Sequence, residues 1–135
     1  MFIFMLIFKI KFSILIIFLP LAILLQCILV LGLSFISSAL HTFYRDTRYI
    51  VEVLLLCGFY LTPIFYTLDM VPKTWQHIYM LNPMVGMVTI YRSMLFYGKF
   101  PQLPEVIYTC MVSLLVFTLG LFIFRKHERL FADYV

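Results

Sequence analysis

Six carboxylates and three histidines are the side chains of this chain that could move a proton or hold a cation. The carboxylates are Asp46, Glu52, Asp69, Glu105, Glu128 and Asp133. A proton or cation relay needs a close carboxylate pair inside an apolar span, and this spacing offers none. Asp69 and His77 share one polar segment, so an acid/base pair is conceivable there, but both also fit a solvated interface. No GxxxxGK[ST] loop, GxGxxG turn, HExxH pair or GxSxG elbow occurs. Cys27, Cys57 and Cys110 lie too far apart for a CxxC motif, and three cannot all pair. They read as small packing residues. Nothing here calls for a cofactor or a metal, and the residues do not point to an enzyme.

Arg92 is the sharpest oddity that remains. It belongs to the stretch Tyr60–Arg92, YLTPIFYTLDMVPKTWQHIYMLNPMVGMVTIYR. That stretch is broken at Pro63, Pro72 and Pro83, carries Asp69, Lys73 and His77, and holds Trp75, the single tryptophan. Arg92 either snorkels to lipid headgroups or meets an anionic lipid-linked substrate.

The surroundings decide what solvent this stretch meets. The chain is 64% apolar and 12% charged, with mean hydropathy +1.08. Soluble domains run about 45–50% apolar and about 25% charged. A soluble fold could not hide so much apolar surface, so part of the solvent is lipid. The net charge of +4 is scattered or gathered at span ends rather than laid in a stripe, which argues against nucleic acid and for juxtamembrane anchoring.

In chain order, residues 1–12 read as the remnant of a preceding span and a short loop. A signal peptide would place positive charge before its apolar core. Here the apolar run precedes Lys9 and Lys11, so the chain is expected to continue a longer protein. Residues 13–40 carry no charge and exceed the roughly 20 residues a bilayer core requires. Pro20 falls near the start, where it costs a helix least. Residues 43–52 form a charged connector in which Asp46 can pair with Arg45 or Arg48, and Arg48 with Glu52 at i,i+4.

A second span is expected over 50–67. Thr62-Pro63 predicts a kink or an early end there, with Thr62 or a neighbouring helix satisfying the freed carbonyl. Within residues 68–104, KTWQHIYML (73–81) suits a short interfacial helix. Asn82-Pro83 is a compact start signal, Asn as cap and Pro at the first helical position. Residues 84–97 then make a helix of about 20 Å, too short to cross, with Gly98 as its stop. This section is expected to enter the membrane partway and return. A last span follows at 105–124, with Glu105 favoured near its N-terminus by the helix dipole. The expected fold is all-α and membrane-integral: three full transmembrane helices plus a re-entrant pair of short helices before the last.

The basic tail, Arg125, Lys126 and Arg129, favours a cytoplasmic C-terminus. The full count does not decide, because that assignment leaves five basic residues on each side. It places Phe59, Tyr60, Phe65, Tyr66, Trp75, Tyr79, Tyr91, Phe96, Tyr97, Phe100 and Tyr108 near the outer surface. They make either an interfacial belt or a ring of flat faces and hydroxyls lining an exit for a sugar chain.

Five segments in order, FYRDTRYI, LTPIFY, MVP, LNPMVGMVTIYRSMLF and GLFIFRKHERLFADYV, resemble the C-terminal half of type-2 ABC transporter permeases that export polysaccharides. The O-antigen and teichoic-acid exporters are most similar, with capsule exporters next, and the resemblance covers about residues 14–135. It implies six spans per permease subunit and two permease subunits together. It also implies two separate ATP-binding subunits that hydrolyse ATP and a lipid-linked glycan as cargo in the bacterial cytoplasmic membrane. By resemblance, Arg45, Asp46 and Arg48 lie in a cytoplasmic connector. Pro63, Trp75, Asn82, Pro83, Tyr91 and Arg92 belong to a re-entrant outer gate. Set against that resemblance, the family's N-terminal amphipathic helix and first spans have no counterpart here, so the chain is expected to be a fragment, a split-gene half or a mis-called start. A type-2 permease for another cargo, such as a drug, and a membrane enzyme acting on lipid-linked sugars are the alternatives.

Overall fold

A computed structural model describes residues 14–44, 46–66 and 70–134. Residues 1–12, Arg45 and Asp69 lie outside the described residues, so the span remnant and the Asp69–His77 pair lie outside them too. Among the described residues every regular element is helical. A 3-10 turn (Ile14–Phe18) leads into α1 (Leu19–Phe43), and a tight connector leads to α2 (Thr47–Leu61). Two short helices follow, α3 (Lys73–Met80) and α4 (Pro83–Arg92), the latter extended by a π-helical turn (Ser93–Tyr97). The last helix, α5, runs unbroken from Leu103 to Tyr134.

Among the described residues, two helical stretches are long and apolar enough to cross a membrane, Leu15–Thr42 and Leu103–His127. They form the principal contact of the fold. Small residues make their approach possible. A Cβ on Gly32 would come within 2.7 Å of the Phe117 backbone, and one on Gly120 would strike the carbonyl oxygen of Gly32. Phe35 packs on Phe117 and Phe124 near one end, and Phe18 meets Phe100 near the other. Low-numbered residues of α1 thus meet low-numbered residues of the α5 region. The two long helices run parallel, and their N-terminal ends share one side.

The expected helix over 50–67 is shorter and displaced. α2 begins at Thr47 and ends at Leu61, with Thr62 extended. Fifteen residues reach about 22 Å at 1.5 Å each, short of the ~30 Å hydrocarbon thickness. The early start has a local cause. Thr47 is buried, and its hydroxyl bonds to the carbonyls of Tyr44 at 2.7 Å and Leu40 at 3.1 Å, closing the turn onto the end of α1. Between its tied ends α2 is sparsely packed, with Val53, Leu54, Leu55 and Leu56 all exposed in this chain.

α4 wedges between the N-terminal thirds of α1 and α5. Its Ile90, with Met94 of the π turn, packs on Leu15 and Ala22, flanked by Tyr91 and Val106. Its Gly86 sits directly on the Thr109 hydroxyl. Thr109 and Ser113 are fully buried at 0% exposure, and each returns its hydroxyl to the carbonyl four residues earlier. The polar atoms of this contact are therefore satisfied within α5, and close approach costs no stranded hydroxyl. Gly98 ends the π turn in the left-handed region at φ 58°, where a residue without a Cβ is at ease.

Candidate functional site

The site is built on the break at Pro63. A proline in place of an N–H donor leaves helix carbonyls unmatched, and lipid would not satisfy them. Here each is met. The Thr62 N–H donates to the Phe59 carbonyl at 3.3 Å, and its hydroxyl takes the Gly58 carbonyl at 2.7 Å. The Tyr66 hydroxyl donates to the Tyr60 carbonyl at 3.1 Å. Pro63 itself is fully buried.

Beyond the break, Arg92 reaches back from the end of α4. Its guanidinium donates to the carbonyl oxygen of Ile64 at 2.7 Å and to that of Tyr66 at 3.1 Å. Neither a headgroup nor a substrate is needed to account for its place. It clamps the irregular chain that Pro63 creates, and the planar fork of an arginine suits two neighbouring acceptors.

Asn82 links the same break to the start of α4. Its Oδ1 accepts from the Met84 N–H at 3.0 Å, capping the helix, and Pro83 occupies the first turn. Its Nδ2 donates to the Thr62 hydroxyl oxygen at 3.3 Å. Both ends of α4 are thus bound to residues 62–66: Asn82 at its start, Arg92 at its finish.

Tyr91 faces the other way. Its hydroxyl donates to Oε1 of Gln26 on α1 at 2.6 Å. That contact lies roughly 16 Å along the first long helix from Leu15, at about 1.5 Å per residue. Sequence reasoning passed over Gln26. The signal was present, since an amide inside an uncharged run of this length requires a partner. On the opposite flank the Tyr108 hydroxyl donates to the Leu81 carbonyl at 2.8 Å, holding the α3–α4 turn to α5.

Trp75 stands apart. It is 58% exposed on α3, and its backbone N–H closes the helix start on the Pro72 carbonyl at 2.9 Å. Tyr66 and Tyr79 meet edge to face at 6.4 Å. At the far end of α2, Arg48 pairs with Glu52 at 3.6 Å, both well exposed. Asp46 lies exposed just before the helix and does not cap it.

Among the described residues no three His, Cys, Asp or Glu side chains gather as metal ligands. The constellation of Thr62, Pro63, Asn82, Tyr91 and Arg92 is knit by hydrogen bonds within the chain. It fastens a short helix, irregular at one flank, between two long ones. Composition and fold together define an integral membrane protein whose two longest helices carry a polar-tied wedge between their N-terminal ends.

Residues 1–96 match the ABC-2 type transporter family, and the chain belongs to it. It is similar to two proteins of Klebsiella pneumoniae named O-antigen export system permease protein RfbA, each 33% identical over 109 residues. That alignment covers 80% of this chain and 41% of each relative. A protein of the same name from Myxococcus xanthus is 28% identical over 116 residues, covering 84% of this chain and 45% of the relative. The match spans less than half the length of these relatives. The family resemblance read from the five ordered segments is borne out.

Proposed function

We propose that this chain supplies the C-terminal portion of a permease subunit that exports lipid-linked polysaccharide across the bacterial cytoplasmic membrane. The observation that carries the reading is the similarity to O-antigen export permeases over four fifths of the chain. The cargo class is O-antigen or a related surface glycan such as teichoic acid or capsule. The subunit works as a transport component, with a second permease subunit beside it and ATP hydrolysis on a separate ATP-binding partner of the kind the family implies.

The path of the chain supports three crossings. α1 and α5 run parallel, so the chain must return to its starting side between them, and α2 is the element available for that return. Its length is supplemented by the irregular residues 62–66, which Thr62 and Arg92 keep satisfied at depth. Residues 68–104 then form the re-entrant section, with α4 inserted by about a third of the bundle. The basic tail after the last crossing favours a cytoplasmic C-terminus, with the wedge then at the outer face. There it is suited to gate the exit, since it is fixed to α1 by one side-chain bond and to the chain after α2 by three.

Deletion of the gene tests the reading. Cells are expected to lose the long surface glycan on an immunoblot and to regain it from a plasmid copy. An unchanged glycan ladder in the deletion strain overturns it.

A further inference from the structure

A partly open cleft of about 230 Å³ lies where α3, α4 and the first two turns of α5 meet. Leu81, Val85 and Pro104 supply apolar walls. Four oxygen-bearing side chains also line it: Glu105, Tyr108, Thr89 and the fully buried Thr109, whose hydroxyl donates to the Glu105 backbone carbonyl at 2.7 Å. A hydroxyl has one proton and two acceptor lone pairs. Tyr108 donates its proton to the Leu81 carbonyl at 2.8 Å, and Thr89 donates its own to the Val85 carbonyl at 2.9 Å. The few polar side-chain atoms that an occupant meets among these apolar walls are therefore acceptors. The ion pair among the described side chains is Arg48–Glu52, so no described cation neutralises Glu105. The dipole of α5 favours a carboxylate in its first turn, which explains why the charge is tolerated. It does not explain the proton-committed hydroxyls of Thr89, Tyr108 and Thr109 beside it.

We infer that this cleft binds a primary ammonium group carried on a small body. An ammonium has three donors and no acceptor, matching the Glu105 carboxylate and the oxygens of Tyr108 and Thr89. The space suits an aminoethyl group or a single amino-sugar ring. A trimethylated choline has no N–H to offer, and an anionic or uncharged headgroup leaves the carboxylate unmatched. Two sources present the same chemistry: the ethanolamine headgroup of a membrane lipid, and an amino sugar in the glycan. The second rests on the export reading above; the first does not.

The test uses the permease purified with its ATP-binding partner. Vesicles contain phosphatidylglycerol with either phosphatidylethanolamine or phosphatidylcholine, and native mass spectrometry reads the lipid retained. In parallel, saturation-transfer NMR compares glucosamine with glucose on the same preparations. Preferential retention of phosphatidylethanolamine that falls about tenfold in Glu105→Gln, the loss of one charge-assisted contact, assigns the headgroup. A glucosamine preference that falls likewise assigns the glycan. Glu105→Asp, which keeps the charge, is expected to retain part of either preference and guards against a folding artefact in the amide variant. Equal retention of both lipids together with equal sugar signals overturns the inference. Preferences that survive Glu105→Gln overturn it as well. Neither result bears on the glycan immunoblot, so the two readings fail separately.

Discussion

The Tyr91 hydroxyl donates to the Gln26 side chain at 2.6 Å, joining the wedge helix to the first long helix across 65 positions of sequence. In lipid surroundings such a bond averages about 0.6 kcal/mol and reaches about 1.7. Tyr91→Phe keeps the ring and strands the Gln26 amide. Thermal unfolding in detergent is expected to show a loss within that range. Gln26→Leu in the Tyr91→Phe background is expected to recover part of the loss, because the stranded amide is gone. Strictly additive losses would show that the two side chains are not paired.

Arg92 separates two roles by its substitutions. It donates to the carbonyls of Ile64 and Tyr66. Arg92→Ala leaves both without this partner and is expected to cost about 1–3 kcal/mol. Arg92→Lys keeps the charge but not the fork, so it is expected to recover little of that stability. Were Arg92 instead a contact for an anionic cargo, Arg92→Lys would keep near-normal export, and Arg92→Ala would abolish it without lowering thermal stability.

Asn82 serves two bonds that can be removed one at a time. Asn82→Asp keeps an Oδ acceptor for the Met84 N–H and loses the donor to Thr62. Asn82→Ala loses both. Capping losses run about 0.5–2 kcal/mol, so the order of melting temperatures is expected to be wild type, Asp, then Ala. Equal melting of the two variants would mean the cap adds nothing beyond the Thr62 link.

What was legible in the sequence was local chemistry. Thr62-Pro63 announces the break, Asn82-Pro83 the start of α4, Gly98 its stop, and the uncharged run 13–40 the first long helix. The first three rest on residues within a turn of one another, where backbone rules suffice, and the last on an unbroken apolar run. The partners of Arg92 lie 26 and 28 positions away, and Tyr91 bonds across 65. No periodicity carries that information. The start of α2 at Thr47 rather than Ile50 follows from one buried hydroxyl reaching back to α1. In the connector sequence that threonine looks like an ordinary polar residue.

Gly32 tests the parallel packing of the two long helices. A Cβ there meets the Phe117 backbone, which cannot rotate away as a side chain could. Gly32→Val is expected to cost about 1–3 kcal/mol through overpacking, seen as a lower melting temperature. Gly58 on α2 is the contrast, with nothing within 4 Å of its added Cβ. Gly58→Ala is expected to be neutral or to stabilise by about 0.5–1 kcal/mol. A marked loss from Gly58→Ala in the complete permease would reveal that this face of α2 is packed in the assembly.

The direction of the chain through the membrane follows from the same parallel pair. If α1 and α5 both cross with their N-terminal ends on one side, the connector at Arg48 and the short helix bearing Trp75 must lie on opposite sides. Both residues are exposed, so a cysteine at either can be reached from water. In a background with Cys27, Cys57 and Cys110 replaced, Trp75→Cys is expected to react with a membrane-impermeant maleimide on intact spheroplasts. Arg48→Cys is expected to react only after permeabilisation. Reversed labelling would keep the three crossings and turn the orientation over, contradicting the reading from Arg125, Lys126 and Arg129. Labelling of both from one side would remove α2 as a crossing element, and with it the path that carries the chain from the first long helix to the wedge.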